Sequence, residues 1–408
     1  MEFFYNELVE LLARKGAEEE GTVVVEYPSM ERCVVGDSEI EEREGEVEVA
    51  ESVCKNGKIV LAMKSAAVYV VPGYFNTIPV SFDEDTNKIY LGGVEGGKVL
   101  RNGEVAAVEK KGLRILRRRC LCELGGEEEG EDGVKNEKIL LENLEKILTR
   151  SFLDLAEKEK TVAISFSGGI DSLVCAVLAA KNLKNKPIYL INTSFSKNGN
   201  FSSKDRENSL ERWNLIKNLA KNEVKYVENN ITREEVLENQ KEIASLAKNT
   251  TMDFNLASLH YFSAKKASTL GASQLLTGTG GDELFLGYAR HKNNRAPKDA
   301  ILQEVENFDV QNLHRDYRAA HAHRVLLASP FLSHRVLLFS LKTCTADTVG
   351  KKPLVLLLQK TFPNAVGAFP KKLAGQFGSG ISDTIRSIKC RAPTPCKNNE
   401  CLSLECSK

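Results

Sequence analysis

The chain has 408 residues, of which 42% are hydrophobic and 27% are charged, and this length predicts two domains. Its 56 basic and 56 acidic residues cancel, which excludes a global electrostatic attraction to nucleic acid or to anionic membranes. The sequence has no run of about 18 apolar residues, and its start lacks the pattern of a secretory signal. We therefore expect a cytoplasmic protein whose ten cysteines are thiols rather than disulfides.

Short β-like runs, separated by glycines and asparagines, occur between residues 20 and 120. They lie at 22–25, 58–62, 67–71, 78–82 and 88–91 and predict a mostly antiparallel sheet domain over residues 1–122. Residues 123–137 are rich in glycine and glutamate. That composition combines flexibility with self-repulsion and predicts an acidic linker.

Helical and strand-like patterns alternate over residues 138–389. Apolar residues at helical spacing occupy 138–148, and strand-like runs follow at 161–164, 187–193 and 224–228. Helical runs at 173–181 and 210–221 separate these strands. The alternation predicts an α/β domain with a parallel sheet, helices on both faces and ligands beyond the carboxyl ends of the strands.

The octapeptide Ser165-Phe166-Ser167-Gly168-Gly169-Ile170-Asp171-Ser172 joins the first of these strands to a helix. Paired glycines let the backbone approach a phosphate, and the amides at a helix N-terminus converge on negative charge. Ser167 and Ser172 can add hydroxyl donors, and Asp171 can hold a magnesium ion. The pattern favours a pyrophosphate-binding loop, and the alternative is a tight turn without a ligand.

A second glycine-dense turn spans Thr277 to Tyr288 and contains the acids Asp282 and Glu283. An apolar strand end leads into it, so the turn can bring backbone amides and a carboxylate to a nucleotide. Taken alone, this turn is also compatible with a purely structural role.

Together the two motifs resemble the asparagine synthetase family, and most of all its divergent eukaryotic asparagine synthetase domain-containing members. The synthetase domain of that family is an adenine-nucleotide alpha-hydrolase (PP-loop) domain. Further resemblance lies at 288–291, 312–316, 329–332 and 370–379, and the match covers residues 138–389. GMP synthetase, NAD synthetase and tRNA-thiolating enzymes share only the first loop, so the second motif argues against them.

The resemblance implies a reaction in which an aspartate-like carboxylate attacks the α-phosphate of ATP and ammonia then displaces AMP. It implies ATP and magnesium as cofactors, while the balanced charge and the lack of a long apolar run predict no nucleic-acid or membrane partner. The residues implied to grip pyrophosphate are Ser167, Gly168, Gly169 and Ser172. Asp171 and Asp282 are implied to be catalytic and to share the metal, and the other implied ATP contacts are Phe166, Ser194, Thr277 and Gly278.

Two departures from the family pattern bear on the chemistry. Thr279 stands where the family has a glutamate used in amidation, and Ala374 stands where it has a lysine that stabilises the intermediate. Lys372, or its neighbour Lys371, is a possible substitute for that lysine. ATP binding is therefore better supported than amide synthesis, and the alternative is a nucleotide-binding pseudoenzyme or scaffold that acts through a protein partner.

The front of the chain lacks the cysteine that glutamine-dependent relatives expose as their first residue, because residue 2 is Glu2. Residues 69–80 resemble a strand and loop of glutaminase-type domains. We therefore interpret residues 1–122 as a shortened, inactive glutaminase-like (Ntn) domain, although a misassigned start would look the same. Residues 390–408 carry four cysteines without a histidine, which favours a disordered tail over a metal site.

Overall fold

The computed structural model describes residues 137–389 except 197–198, 221, 248–249, 292–295 and 364–374, and before residue 137 it describes twelve strands and Phe75, Pro79 and Leu100. The predicted tail, and the predicted linker apart from Glu137, lie outside the described residues. Two compact units make up the chain. The first comprises residues 1–136, 294–317 and 332–346, and the second comprises residues 137–293, 318–331 and 347–408.

The first unit contains two sheets. One has the order β1-β9-β8-β10 and the other has the order β3-β2-β6-β7-β11-β12-β5-β4. Adjacent strands are antiparallel except β5 and β12, which are parallel. The strands are β1 Glu2–Phe3, β2 Val23–Tyr27, β3 Glu31–Val34, β4 Ile40–Arg43, β5 Glu46–Val49, β6 Ile59–Lys64, β7 Ala67–Pro72, β8 Val80–Asp83, β9 Lys88–Leu91, β10 Lys98–Val99, β11 Glu104–Glu109 and β12 Gly112–Arg118.

Each strand-like run of the first unit coincides with an observed strand to within two residues at either end. The four central residues of β11 are buried, so this strand contributes to a core. The unit also contains the helices Pro297–Phe308 and His334–Thr343 and a π-helical turn at Asp309–Leu313. The glutaminase-like identity of residues 1–122 stays a prediction.

The second unit is an α/β structure around a five-stranded sheet with the order β15-β14-β13-β16-β17. All four strand pairs are parallel, as the alternating pattern predicts. Its strands are β13 Val162–Ser165, β14 Ile188–Phe195, β15 Val224–Ile231, β16 Gln274–Leu276 and β17 Leu326–Ala328. The chain leaves β13 toward β14 and leaves β16 toward β17, so a switch point lies between β13 and β16.

Side-chain caps fix where several helices of this unit begin. Ser203, Thr232 and Thr250 each accept a hydrogen bond from an amide three residues ahead. The helices are Glu137–Ala156, Ile170–Asn182, Lys204–Leu219, Arg233–Glu238, Gln240–Leu246, Thr251–Thr269, Gly281–Leu284, Lys352–Thr361, Gly375–Gly378 and Ile381–Lys389, and His314–His321 straddles the two units. Among the described residues, none of the helices is both long and apolar enough to cross a bilayer.

The helix Ile170–Asn182, which includes the last three residues of the first motif, is deeply buried. All ten residues from Asp171 to Ala180 are buried, which is typical of a helix enclosed on several sides. Cys175 lies in this run and is a free thiol, and Cys344, outside this helix, is also a free thiol.

Candidate functional site

The two glycine motifs follow neighbouring parallel strands. Ala163 and Ile164 of β13 pair with Leu275 and Leu276 of β16, and a motif begins within two residues of each strand end. Because parallel strands end at the same edge of the sheet, the two motifs lie side by side at the switch point. This is the edge at which open α/β sheets bind their ligands.

The first motif forms a tight turn whose geometry requires glycine. Gly168 has φ +74°, and a Cβ atom there would lie 2.6 Å from the backbone nitrogen of Ser209. The hydroxyl of Ser172 donates to the carbonyl of Gly169 at 3.0 Å and lies 3.3 Å from the Ser167 hydroxyl. The two hydroxyls therefore share one side of a turn that opens a 13-residue helix, whose N-terminal amides favour anions.

Asp171 is enclosed by the second motif. A Cβ atom on Gly278 would lie 2.5 Å from the Cβ of Asp171, and one on Gly281 would lie 2.5 Å from its Oδ1. The thiol of Cys175 donates to the carbonyl of Thr277 at 3.4 Å, and burial with the charge of Asp171 raises the pKa of this thiol. These glycines thus allow close packing of the two motifs, which is a role the sequence analysis did not identify.

Lys351 joins the two predicted metal ligands. Its Nζ lies 2.5 Å from Oδ2 of Asp171 and 2.6 Å from Oδ1 of Asp282. The side chains of Lys351 and Asp171 are 6% and 2% exposed, whereas that of Asp282 is 23% exposed, so the cluster is open to solvent at Asp282. Lys351 was not predicted from the sequence, and it follows Asp171 by 180 residues.

The backbone around Lys351 is held in an unusual conformation. Lys351 has φ 64° and ψ 26°, a left-handed conformation that costs a residue with a side chain roughly 1–2 kcal/mol. Its amide donates to the carbonyl of Phe285, and the amide of Gly350 donates to that of Leu286, both at 2.9 Å. Gly287 has no space for a Cβ atom, which would meet Asp282 and the Cε of Lys351. Such strain is typical of functional sites.

The carboxylates of Asp171 and Asp282 are suited to magnesium. One ammonium nitrogen is within hydrogen-bonding distance of both, so a single cation can contact the two groups. Magnesium prefers oxygen ligands and is usually bound by one or two carboxylates together with phosphates and waters. The described residues contain no cluster of three or more metal-binding side chains, and a site of this kind does not need one.

Thr279 is held by the loop after β17. The hydroxyl of Ser329 donates to its carbonyl at 2.6 Å, and the hydroxyl of Thr277 donates to its Oγ1 at 2.9 Å. Thr279 is half-buried, so its hydroxyl lies near the surface of the site. A hydroxyl at this position cannot act as the carboxylate that the resemblance implies.

The other predicted ATP-contacting residues lie at strand ends. Phe166 is buried, and its amide donates to the carbonyl of Ile191 at 2.8 Å. Ser194 is fully buried, and its hydroxyl donates to the carbonyl of Phe201 at 2.8 Å. The Ser194 hydroxyl therefore uses its hydrogen for a bond to the chain seven residues ahead.

A buried arginine network supports the first loop from beneath. The amide of Asn192 donates to the carbonyl of Phe166 at 2.9 Å. Arg206 donates from Nε to Oδ1 of Asn192 at 2.6 Å and from its two terminal nitrogens to Glu228 at 2.7 Å and to Asn230 at 2.8 Å. The guanidinium thereby fixes the orientation of the amide that holds Phe166.

Glu283, next to Asp282, is a buried acid with a perturbed pKa. Burial and the negative charge of Asp282 raise its pKa to about 7, although the hydroxyl of Tyr288 donates a hydrogen bond to its Oε1. Burial and the charge of Glu283 in turn raise the pKa of Tyr288, whose ring lies 4.1 Å from the guanidinium of Arg290.

The predicted substitutes at the family lysine lie outside the described residues, as Lys371, Lys372 and Ala374 fall in 364–374. The segment that follows them is anchored in the second unit. A Cβ atom on Gly378 would collide with the carboxylate of Asp205, and the amide of Phe195 donates to the carbonyl of Ser379 at 3.0 Å.

Comparison with known proteins finds similarity to asparagine synthetase-like proteins. The asparagine synthase family model matches residues 143–305. The chain is 31% identical over 257 residues to an asparagine synthetase domain-containing protein of Drosophila melanogaster, covering 54% of this chain and 45% of that protein. It is 24% identical over 341 residues to asparagine synthetase domain-containing protein 1 of Homo sapiens, covering 67% of this chain and 53% of that protein.

The chain thus spans about half the length of these two relatives. The solved structure of a U34-tRNA thiolase from Methanococcus maripaludis covers 66% of this chain and 86% of its own at 16% identity, and its TM-score of 0.29 is too low to support an argument. The family match at residues 143–305 and these two relatives confirm the predicted resemblance of the chain to asparagine synthetase domain-containing proteins.

Proposed function

We propose that the second unit binds ATP with magnesium and cleaves it between the α- and β-phosphates to activate a carboxylate. One observation carries this proposal: the cluster of Asp171, Asp282 and Lys351 lies at the turn that bears the hydroxyls of Ser167 and Ser172. Positive charge, hydroxyl donors and helix amides in one place suit a pyrophosphate group.

The residues of the first loop bind the pyrophosphate part of ATP in this proposal. The amides of Gly168 and Gly169 and the hydroxyls of Ser167 and Ser172 donate to the phosphate oxygens. The ammonium of Lys351 adds a point charge, as lysines do at other phosphate sites. Asp171 and Asp282 would hold the metal, and magnesium, when bound, would neutralise the charge on the departing pyrophosphate.

The adenosine part would lie against β13 and β16. Phe166, Thr277 and Gly278 contact it through the backbone or by packing, since Phe166 and Thr277 are buried. Ser194 remains a proposed ATP contact, because its hydroxyl donates to the carbonyl of Phe201 and can still accept a hydrogen bond.

The chemistry follows the asparagine synthetase pattern. A carboxylate oxygen, from aspartate or a related acid, bonds to the α-phosphorus as the bond to the β-phosphate oxygen breaks, and pyrophosphate leaves. Ammonia then bonds to the acyl carbon, the bond to AMP breaks, and the amide nitrogen loses a proton. Thr279 cannot accept that proton as a carboxylate would, so we expect amide synthesis to be slow.

A second candidate function is a nucleotide-binding protein that has lost amidation. Thr279 favours it, because a hydroxyl stands where the family has an acid, and the loop that carries it is still held by hydrogen bonds from Thr277 and Ser329. Such a protein would bind ATP with magnesium and form neither pyrophosphate nor an amide. It would act as a scaffold for a protein partner.

We further propose that residues 1–122 form a reduced glutaminase-like domain without glutamine hydrolysis. Glutamine hydrolysis by such domains needs a cysteine with a free amino group, and Cys33 lies inside strand β3, where its nitrogen is part of the backbone. Glutamate formation from glutamine should match a protein-free blank. Activity that a thiol reagent abolishes would contradict this assignment.

Calorimetric titration with ATP in magnesium buffer tests the binding site. Asp171→Asn should weaken ATP binding at least about tenfold, because the charge that holds the metal is lost. Asp154→Asn is the matched control, since Asp154 lies on an exposed helix surface in an ion pair with Arg150 and should leave affinity unchanged. Equal affinity in the two variants would refute the assigned site.

A further inference from the structure

We propose that Lys351 is a resident cation that occupies the metal position between Asp171 and Asp282 whenever nucleotide is absent. A divalent ion would then enter the site only together with ATP. The inference rests on the proposed nucleotide function, and it adds the order in which the metal and the nucleotide can bind.

The geometry identifies the position of the ammonium group. Its nitrogen is 2.5 Å from Asp171 and 2.6 Å from Asp282, so it lies between the two oxygens that a shared metal would contact. Two cations cannot occupy this position together, because their charges repel and the space is already filled. A divalent ion can therefore contact both carboxylates only after the ammonium has moved.

The backbone at Lys351 is held in place, so the exchange we propose moves the side chain alone. Two backbone hydrogen bonds hold Gly350 and Lys351 to Leu286 and Phe285, and the helix Lys352–Thr361 begins immediately afterwards. Lysine carries its charge at the end of a flexible four-carbon chain, so a change of side-chain torsions can displace the ammonium while the backbone stays in place. Cε of Lys351 occupies the space that a Cβ atom on residue 287 would fill, so Gly287 makes room for the lysine side chain.

The exchange gives metal and nucleotide a positive coupling. A divalent ion alone would have to separate a buried ammonium from two carboxylates and leave that ammonium without an anion. A nucleotide supplies the missing anion, since its phosphates can receive the ammonium as the metal takes its place. Each ligand then raises the affinity of the other by the same factor.

Manganese binding without nucleotide tests the inference directly. Mn²⁺ has the oxygen preference of Mg²⁺ and is followed by the electron paramagnetic resonance of the free ion. Lys351→Met should bind Mn²⁺ at least about tenfold more tightly than the natural chain, because the competing charge is gone. Lys352→Met is the matched control. Lys352 is the next residue in the chain and its side chain is exposed, so its replacement should leave Mn²⁺ affinity unchanged.

The result that overturns the inference is equal Mn²⁺ affinity in the natural chain and Lys351→Met. Should that variant fail to fold, Lys351→Gln, which keeps a polar side chain and removes the charge, takes its place: tighter Mn²⁺ binding than in the natural chain, measured without ATP, supports the exchange, and equal affinity contradicts it. Failure of the proposed function looks different, because the natural chain would then bind no ATP at any metal concentration.

Discussion

Gly281 and Asp171 approach so closely that a Cβ atom on residue 281 would lie 2.5 Å from Oδ1 and 2.6 Å from Cγ of Asp171. The two residues belong to different motifs that follow neighbouring strands of one sheet. Gly281 does not have a left-handed backbone, so its requirement for glycine comes from this contact alone. The contact therefore sets where the Asp171 carboxylate lies relative to Asp282 and Lys351.

Gly281→Ala should displace the Asp171 carboxylate and destabilise the protein by about 1–3 kcal/mol, as overpacking of a tight site does. Urea unfolding measures the stability, and calorimetry measures ATP affinity, which should fall as well. In an Asp171→Ala background the same glycine substitution should cost much less, because the carboxylate is gone. An equal cost in both backgrounds would show that the contact does not constrain Asp171.

Arg206→Met should loosen the first loop. The buried Oδ1 of Asn192 loses its donor, which costs about 1–3 kcal/mol of unfolding free energy. ATP affinity should also decrease, since the Asn192 amide holds the carbonyl of Phe166. Arg150→Met, on an exposed helix surface, is the control and should change neither quantity. Unchanged ATP affinity in a destabilised Arg206→Met would limit Arg206 to a purely structural role.

Glu283 should make stability depend on pH. Its pKa rises from 4.5 to about 7 on folding, so the unfolded chain releases this proton first as pH increases. The stabilisation that protonated Glu283 gives to the folded state is present in full below pH 4.5 and is lost as pH rises toward 7. The unfolding free energy lost in this way is roughly 3 kcal/mol at most. As pH rises from 4.5 to 7, the unfolding free energy of the natural chain should therefore fall relative to that of Glu283→Gln. A constant difference would contradict the raised pKa.

The sequence predicts local features of this site better than distant ones. Each loop is recognised from a few adjacent residues, since glycines, hydroxyls and acids at fixed spacing carry the signal. Their neighbouring positions follow from the parallel sheet, which the alternation of helices and strands predicts. The packing role of Gly278 and Gly281 was not predictable, because it depends on Asp171 reaching across from another strand.

Lys351 shows why one functional residue was missed. It lies in neither motif, and its contact with Asp171 joins positions 180 residues apart. The only local signal is the run Gly350-Lys351-Lys352-Pro353, where proline near the first turn marks a helix start. A buried ammonium cannot be told from an exposed one by that pattern, because burial is decided by tertiary packing.

Restoring the family's two missing groups should raise amide synthesis. Thr279→Glu with Ala374→Lys returns a carboxylate and a lysine, and groups of this kind are each worth about a hundredfold or more in rate. The two effects need not multiply, so an increase of about tenfold to a hundredfold in ammonia-dependent asparagine formation is expected. Thr279→Gln with Ala374→Lys is the control without a carboxylate. No gain over this control would favour the binding-only function.

The products formed from ATP test the central claim most directly. The protein is incubated with ATP, magnesium, aspartate and ammonia, and the nucleotides, pyrophosphate and phosphate are separated and counted. We predict AMP and pyrophosphate in equal amounts, at a rate that Asp171→Asn abolishes and Asp154→Asn does not. ADP and phosphate as the products, or no AMP above the Asp171→Asn background, would contradict the proposal that this site cleaves ATP at the α-phosphate.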